Sequence, residues 1–172
     1  MALKFEYSII KKENIMSTTA FMTKEEFLNN WQGHRNLARK TIEKFPEKDL
    51  FEFSIGGMRT FANLTKELLS IGLPGLEDIV ANRVGQYNED LPFNTKEALL
   101  AEWDRQTPLI SEYFNKISDE RLHENFNLFG EYNFPILHNL IYFYDNEIHH
   151  RAQGFVYLRA LGIEPPMFWD RY

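Results

Sequence analysis

Nine residues, Asp145-Asn146-Glu147-Ile148-His149-His150-Arg151-Ala152-Gln153, bring together two carboxylates, two amides, two histidines and an arginine, with no glycine or proline among them. On a helix, Asn146 and His150 stand four apart and share a face. Two side chains at that spacing are a common way for one helix to offer two ligands to a metal. A catalytic metal needs a third protein ligand and an open position for water or substrate. Spacing alone leaves the third ligand open among Glu67, His34 and, by a small rotation, Asp145 or His149. The everyday alternative is that both helix residues simply hydrogen-bond inside a helical core.

Other chemistries are thinly represented. There are no cysteines, which removes disulfides, thiolate metal sites and cysteine nucleophiles. The sequence has no G-x-S-x-G elbow, no glycine-rich phosphate loop and no H-E-x-x-H motif. Two Glu-x-x-His motifs occur, Glu120 to His123 and Glu147 to His150, as di-iron helical proteins require. Their register is wrong for one centre. A turn near residue 130 sets Glu120 level with about residue 140, which leaves His150 roughly 15 Å further along. A formal net charge of -6 argues against nucleic acid, whose phosphates call for a basic patch. No apolar run is long enough for a membrane span, and the N-terminus shows no signal-peptide pattern, so a cytoplasmic location is expected.

The elements that must position these residues read as helices. At 172 residues one domain with one core is expected. Residues 1–20 read as an irregular or extended arm, in which Leu3, Phe5, Tyr7 and Ile9 alternate with polar residues. Residues 21–172 read as a four-helix bundle. A first helix starts near Thr23, whose T-x-x-E pattern with Glu26 is a capping box. It carries Phe27, Trp31, His34, Ala38, Ile42 and Phe45 as a buried stripe and closes at Pro46. Residues 46–57 read as a loop. A second helix runs from about Met58, and Gly72-Leu73-Pro74-Gly75 should break or kink it. Glu67 sits at the edge of its apolar face. A third helix is capped at Asn94 or Thr95, with a kink expected at Pro108. No sheet is expected. The fourth helix spans about Pro135 to Leu161, with Gly162 as its left-handed terminator. Its wheel stacks Asn139, Tyr142, Asn146, His150, Gln153 and Tyr157 on one side. The opposite side stacks Leu137, Ile141, Ile148 and Phe155 and reads as the apolar face.

Two segments carry a resemblance to a known family. NEIHHRAQGFVYLRALGIEPP in the fourth helix resembles the H-x-x-H-H-R-G-Q…YLR-x-L-G signature of the DinB/YfiT-like metalloprotein superfamily. GGMRTFANLTKELL in the second resembles that family's R-S/T-x-x-E-L-x-x-H segment. The resemblance implies a four-helix bundle, commonly dimeric, that binds a divalent metal through three histidines. Carried over by position, His150 matches the last ligand, Asn146 the first ligand of the fourth helix, and Glu67 the ligand of the second. Two of the three histidines are therefore replaced. His149 matches a neighbouring motif histidine, Arg151 the motif arginine, and Ala152 stands where glycine is frequent. A Glu, Asn, His set is harder than three imidazoles and favours Mn, Fe or Ni, with Zn held weakly. Metal held loosely, or not at all, fits the amide at position 146. His34, Tyr142, His149 and Gln153 are candidates for the pocket wall. The function implied is a metal-dependent hydrolase or thiol S-transferase acting on a small molecule as a homodimer. The alternative is a non-catalytic bundle that binds a small ligand or partner around a relic site.

Overall fold

The computed structural model describes residues 21–172. The arm expected over residues 1–20 lies outside the described residues. The elements are α1 (Lys24–Lys44), α2 (Glu47–Glu52), α3 (Phe61–Ala81), α4 (Lys96–Asn115), a 3₁₀ turn (Glu120–His123), strands β1 (Asn125–Leu128) and β2 (Tyr132–Pro135), and α5 (Ile136–Ala160). The fold is all-α apart from that one hairpin. Its four long helices are the four read from the sequence, and each of α1 and α3 packs against both α4 and α5.

Local chemistry accounts for the helix starts. Thr23 Oγ1 accepts from Glu26 N–H at 3.1 Å, and the Glu26 carboxylate accepts from Thr23 N–H at 2.7 Å, so the expected capping box is present. Thr60 and Thr95 cap α3 and α4 by their hydroxyls alone, which accept from the N–H of Asn63 and Ala98. Gly162, at φ 75°, follows the last turn of α5.

Four expectations are corrected. The loop of residues 46–57 contains α2, which Pro46 opens and the fully buried Leu50 anchors. The helix around Glu67 begins at Phe61, because Thr60 supplies the cap, and it runs unbroken through Pro74. Gly75 is a packing notch there: a Cβ would lie 2.5 Å from Phe143 Cζ. As the sequence reading had it, Pro108 lies inside α4, which is continuous through it. A hairpin forms where no sheet was expected, pairing Phe126 with Phe134 and Leu128 with Tyr132. Its turn places Phe129 and Gly130 at φ 54° and 79°. Left-handed backbone suits glycine but strains a bulky phenylalanine.

The wheel of α5 also turns out differently. Ile141 is exposed, and Leu137, Ile148 and Phe155 are only half-buried. The buried positions include Asn139, Asn146, Glu147, His150, Arg151 and Tyr157. These polar groups enter the interior because each has partners there. Asn139 Nδ2 donates to the carbonyl of Phe126, and Tyr157 Oη to that of Arg59 at 2.8 Å.

A polar layer divides the core. One apolar cluster holds Trp31, Leu76, Ile110, Phe114 and Phe143, and the other holds Ile42, Phe61, Leu69, Leu99, Trp103 and Leu158. Between them, along α1, α4 and α5, come Arg35, Gln106 and Glu147. Glu147 Oε2 accepts from Trp31 Nε1 at 2.9 Å and Arg35 Nη1 at 3.3 Å. The Arg35 guanidinium stacks 4.0 Å from the Trp103 ring and donates to Thr107 Oγ1 and the Trp103 carbonyl. Burial pushes the Glu147 carboxyl up, against the opposing pull of Arg35 and Trp31. Removing one partner strands the other charge, so Arg35→Met should cost about 3–5 kcal/mol in denaturant unfolding. The double variant Arg35→Met/Glu147→Leu should recover most of that loss.

Candidate functional site

Glu67 comes from the second turn of α3 and points at α5. It is only 9% exposed, although a carboxylate at the edge of an apolar stripe is ordinarily a surface residue. Three side chains converge on it. Asn146 Nδ2 donates to Oε1 at 3.2 Å, and His150 Nε2 lies 3.0 Å from the same oxygen. Arg59, in the extended segment before α3, pairs with Oε2. The structure therefore brings Glu67, Asn146 and His150 together at one point.

The contact between His150 and Glu67 is chemically unusual. Gln153 Oε1 lies 2.7 Å from His150 Nδ1, one turn along the helix, and so accepts its N–H. With the ring proton on Nδ1, Nε2 turns toward a carboxylate oxygen. Nε2 is buried and makes no well-aligned hydrogen bond. At 3.0 Å from Glu67 Oε1 it needs an electrophile between them, a second proton on the ring or a metal ion. The carboxylate remains charged. Burial alone would raise its pKa, but His150, Arg59 and Asn146 outweigh burial and hold it at about 2.

These features bear on whether a metal fits. An imidazole whose remote N–H is fixed by an acceptor is the usual arrangement of a metal-bound histidine. Glu67 Oε1 and His150 Nε2 are a compatible pair of donors, and the Asn146 amide adds a weak third. The described residues contain no cluster of three or more His, Cys, Asp or Glu able to hold a metal. The set present reaches three donors only by counting the amide.

Beside Glu67 opens a cavity of about 260 Å³, lined by Arg59, Glu67, Ile71, Tyr87, Glu89, Phe129, Glu131, Tyr132 and Tyr142. Arg59 bridges its walls, since Nη1 donates to Glu89 Oε2 at 2.9 Å while Nη2 holds Glu67. Tyr87 Oη donates to the same Glu89 oxygen at 2.7 Å. Tyr142 lies on this wall, and burial together with the Glu67 charge raises its pKa, so it stays a phenol. A larger apolar cleft of about 480 Å³, between Phe27, Phe114, Leu122 and Leu140, shares no residue with this group.

The remaining candidates sort clearly. Gln153 orients His150. His149 is exposed, packs its ring edge-on at 5.2 Å from that of His150, and makes no hydrogen bond to the converging groups. Asp145 is exposed as well. The structure does not bring His34 to the site. Its Nδ1 accepts from Arg151, and its Nε2 donates to Tyr144 Oη at 3.0 Å. Arg171, from the C-terminal tail, lies 3.0 Å from Nε2. Glu120 to His123 forms the 3₁₀ turn and Glu147 faces Trp31, so the two Glu-x-x-His motifs share no centre. Sequence reasoning gave no role to Arg59, Tyr87, Glu89 or the hairpin aromatics. Arg59 does stand in the segment that carried the family resemblance, eight residues before Glu67.

Burial, then the charges of Arg151 and Arg171, lower the His34 pKa from 6.5 to about 4. Folded His34 is neutral where the unfolded chain takes up a proton. Its contribution is complete above pH 6.5 and is lost as pH falls toward 4, about 3 kcal/mol over that window. His34→Gln should flatten that part of the stability profile, read as unfolding free energy from pH 7 to 4 in both proteins.

The DinB family model matches residues 16–171. No curated protein matches the chain. Among solved structures, the crystal structure of a DinB-like protein from Bacillus cereus ATCC 10987 is similar, with a TM-score of 0.69 at 16% identity. The match covers 84% of this chain and 97% of that one, and at this identity it shows the fold.

Proposed function

The chain belongs to the DinB family, and we propose that it is a metal-assisted enzyme acting on a small molecule in the cavity beside Glu67. On this reading the four long helices form a four-helix bundle whose α3 and α5 carry the reacting groups. The observation that supports it most is the His150 ring, held at Nδ1 by Gln153 with Nε2 set 3.0 Å from Glu67 Oε1. Glu67 Oε1, His150 Nε2 and the oxygen of the Asn146 amide would hold a divalent ion, with Mn, Fe or Ni preferred to Zn. When bound, the ion supplies Lewis acidity, which serves either hydrolysis or activation of a thiol co-substrate.

The chain's own groups do the rest. Arg59 occupies Glu67 Oε2 and leaves Oε1 to Asn146 and His150. Gln153 keeps the His150 proton on Nδ1. Tyr142 offers an O–H to a substrate oxygen, and the tyrosine rings narrow the access of water. The exposed Ile141 and Val156, beside the half-buried Ile148 and Phe155, favour a homodimer across the outer face of α5. No described helix is long and apolar enough to cross a membrane, and the reading takes the enzyme as cytoplasmic.

A second reading has its own observation. Asn146 and Arg59 already satisfy both oxygens of Glu67, as they would in a non-catalytic ligand-binding relative with a relic site.

Metal content divides the two. Protein purified without chelator, then offered Mn, Fe, Ni and Zn in turn, should hold about one ion per chain by elemental analysis, on the three-ligand logic of such sites. His150→Ala and Glu67→Ala should hold none, and Gln153→Leu should weaken binding about 10- to 100-fold. Wild type that takes up none of the four ions supports the second reading.

A further inference from the structure

The cavity beside Glu67 has a charge and a lining that select its ligand. Three carboxylates, Glu67, Glu89 and Glu131, face one guanidinium, that of Arg59. Three negative charges against one positive charge leave two negative. Arg59 is also spoken for, with Nη1 on Glu89 and Nη2 on Glu67, so an anionic ligand meets carboxylates and no free cation. Glu131 takes no part in the ion pairs that hold Arg59. The rest of the wall is aromatic. The Tyr132 and Tyr142 rings stack with centroids 6.3 Å apart, and the Tyr87 and Phe129 rings lie 5.8 Å apart.

Aromatic faces attract a cation through their quadrupole, and carboxylates accept its N–H groups. A site that combines the two recognises organic ammonium groups. A divalent metal gains nothing from the rings, and an apolar ligand would strand the carboxylates away from water. Two further observations point to a ligand here. The 93%-buried His150 side chain sets Nε2 3.0 Å from a Glu67 oxygen without a well-aligned hydrogen bond, and Glu67 lines the cavity. Phe129 is held in left-handed backbone at the tip of the hairpin, where its ring joins the wall.

We propose that this cavity binds an alkylammonium group, with Tyr132, Tyr142, Tyr87 and Phe129 against its cationic head and Glu131 and Glu89 accepting its N–H bonds. The proposal rests on the reading that the cavity beside Glu67 is the substrate site, and it names the substrate class as amine-bearing. The ammonium marks the end of the substrate that is held, and Glu67, Asn146 and His150 face the end that reacts.

The test uses the full chain and three probes of equal length: n-butylammonium, n-butanol and butyrate, followed by ligand-observed NMR. Butylammonium should bind at least 10-fold more tightly than butanol, and butyrate should not bind. Glu131→Lys should abolish the preference, and Tyr132→Ala should weaken butylammonium at least 5-fold. Both residues are exposed at the rim, so unchanged thermal unfolding will show that both variants fold. Butyrate or butanol binding as tightly as the amine, or a preference that survives Glu131→Lys, overturns the proposal. The metal measurement is independent, because neither rim residue is among the ligands. Amine selectivity without metal uptake removes the metal-assisted reading alone. Metal uptake without amine selectivity removes the ammonium assignment alone.

Discussion

The buried pairing of Glu147 with Arg35 and Trp31 sets the geometry on which the rest of the structure depends. Successive helix residues point about 100° apart. Fixing Glu147 against α1 therefore turns Asn146 and His150, its neighbours at one and three positions, toward α3 and Glu67. Arg35 ties the same layer to α4 through Thr107 and Trp103. One buried ion pair thus fixes the rotation of the helix that carries two of the three converging side chains. Such pairs are weak contributors to net stability, because desolvation offsets much of their attraction. Their effect here is orientational, since only one rotation of α5 satisfies the layer.

Glu67 is the second point of order. A carboxylate at this depth is costly unless it is paired, and its three partners come from two separate segments. Arg59 precedes α3, while Asn146 and His150 share one face of α5. The same partners that keep the carboxylate charged also define what it can do. Oε2 is closed by Arg59, and Oε1 faces the His150 nitrogen at 3.0 Å. Site and fold meet in one residue.

The sequence carried much of the helical frame, and for identifiable reasons. Thr23 with Glu26 marked the start of α1 because a capping box has a local signature. Asn146 and His150 paired because i and i+4 must share a helix face. Other features depended on tertiary context. Pro74 read as a break or kink and Pro108 as a kink, and packing on both sides carries both helices through unbroken. The Leu137, Ile141, Ile148, Phe155 stripe read as the core face, but the interior took the polar stripe because Glu67, Gln153 and carbonyls of the hairpin and Arg59 were there to pair with it. The hairpin escaped notice because its alternation lasts four residues per strand and its turn uses a phenylalanine. Arg59, Tyr87 and Glu89 lie in polar connections with no periodicity, so nothing local linked them to a helix that begins only at Ile136.

The central claim is that His150 Nε2, turned toward Glu67 by the Gln153 contact to Nδ1, is the atom that receives a metal ion. The most direct measurement is ¹⁵N NMR of the His150 imidazole during Zn titration, Zn being diamagnetic. The account predicts that Nδ1 keeps its proton throughout and that Nε2 alone shifts on adding the ion. A shift at Nδ1, or no response at either nitrogen, would contradict it.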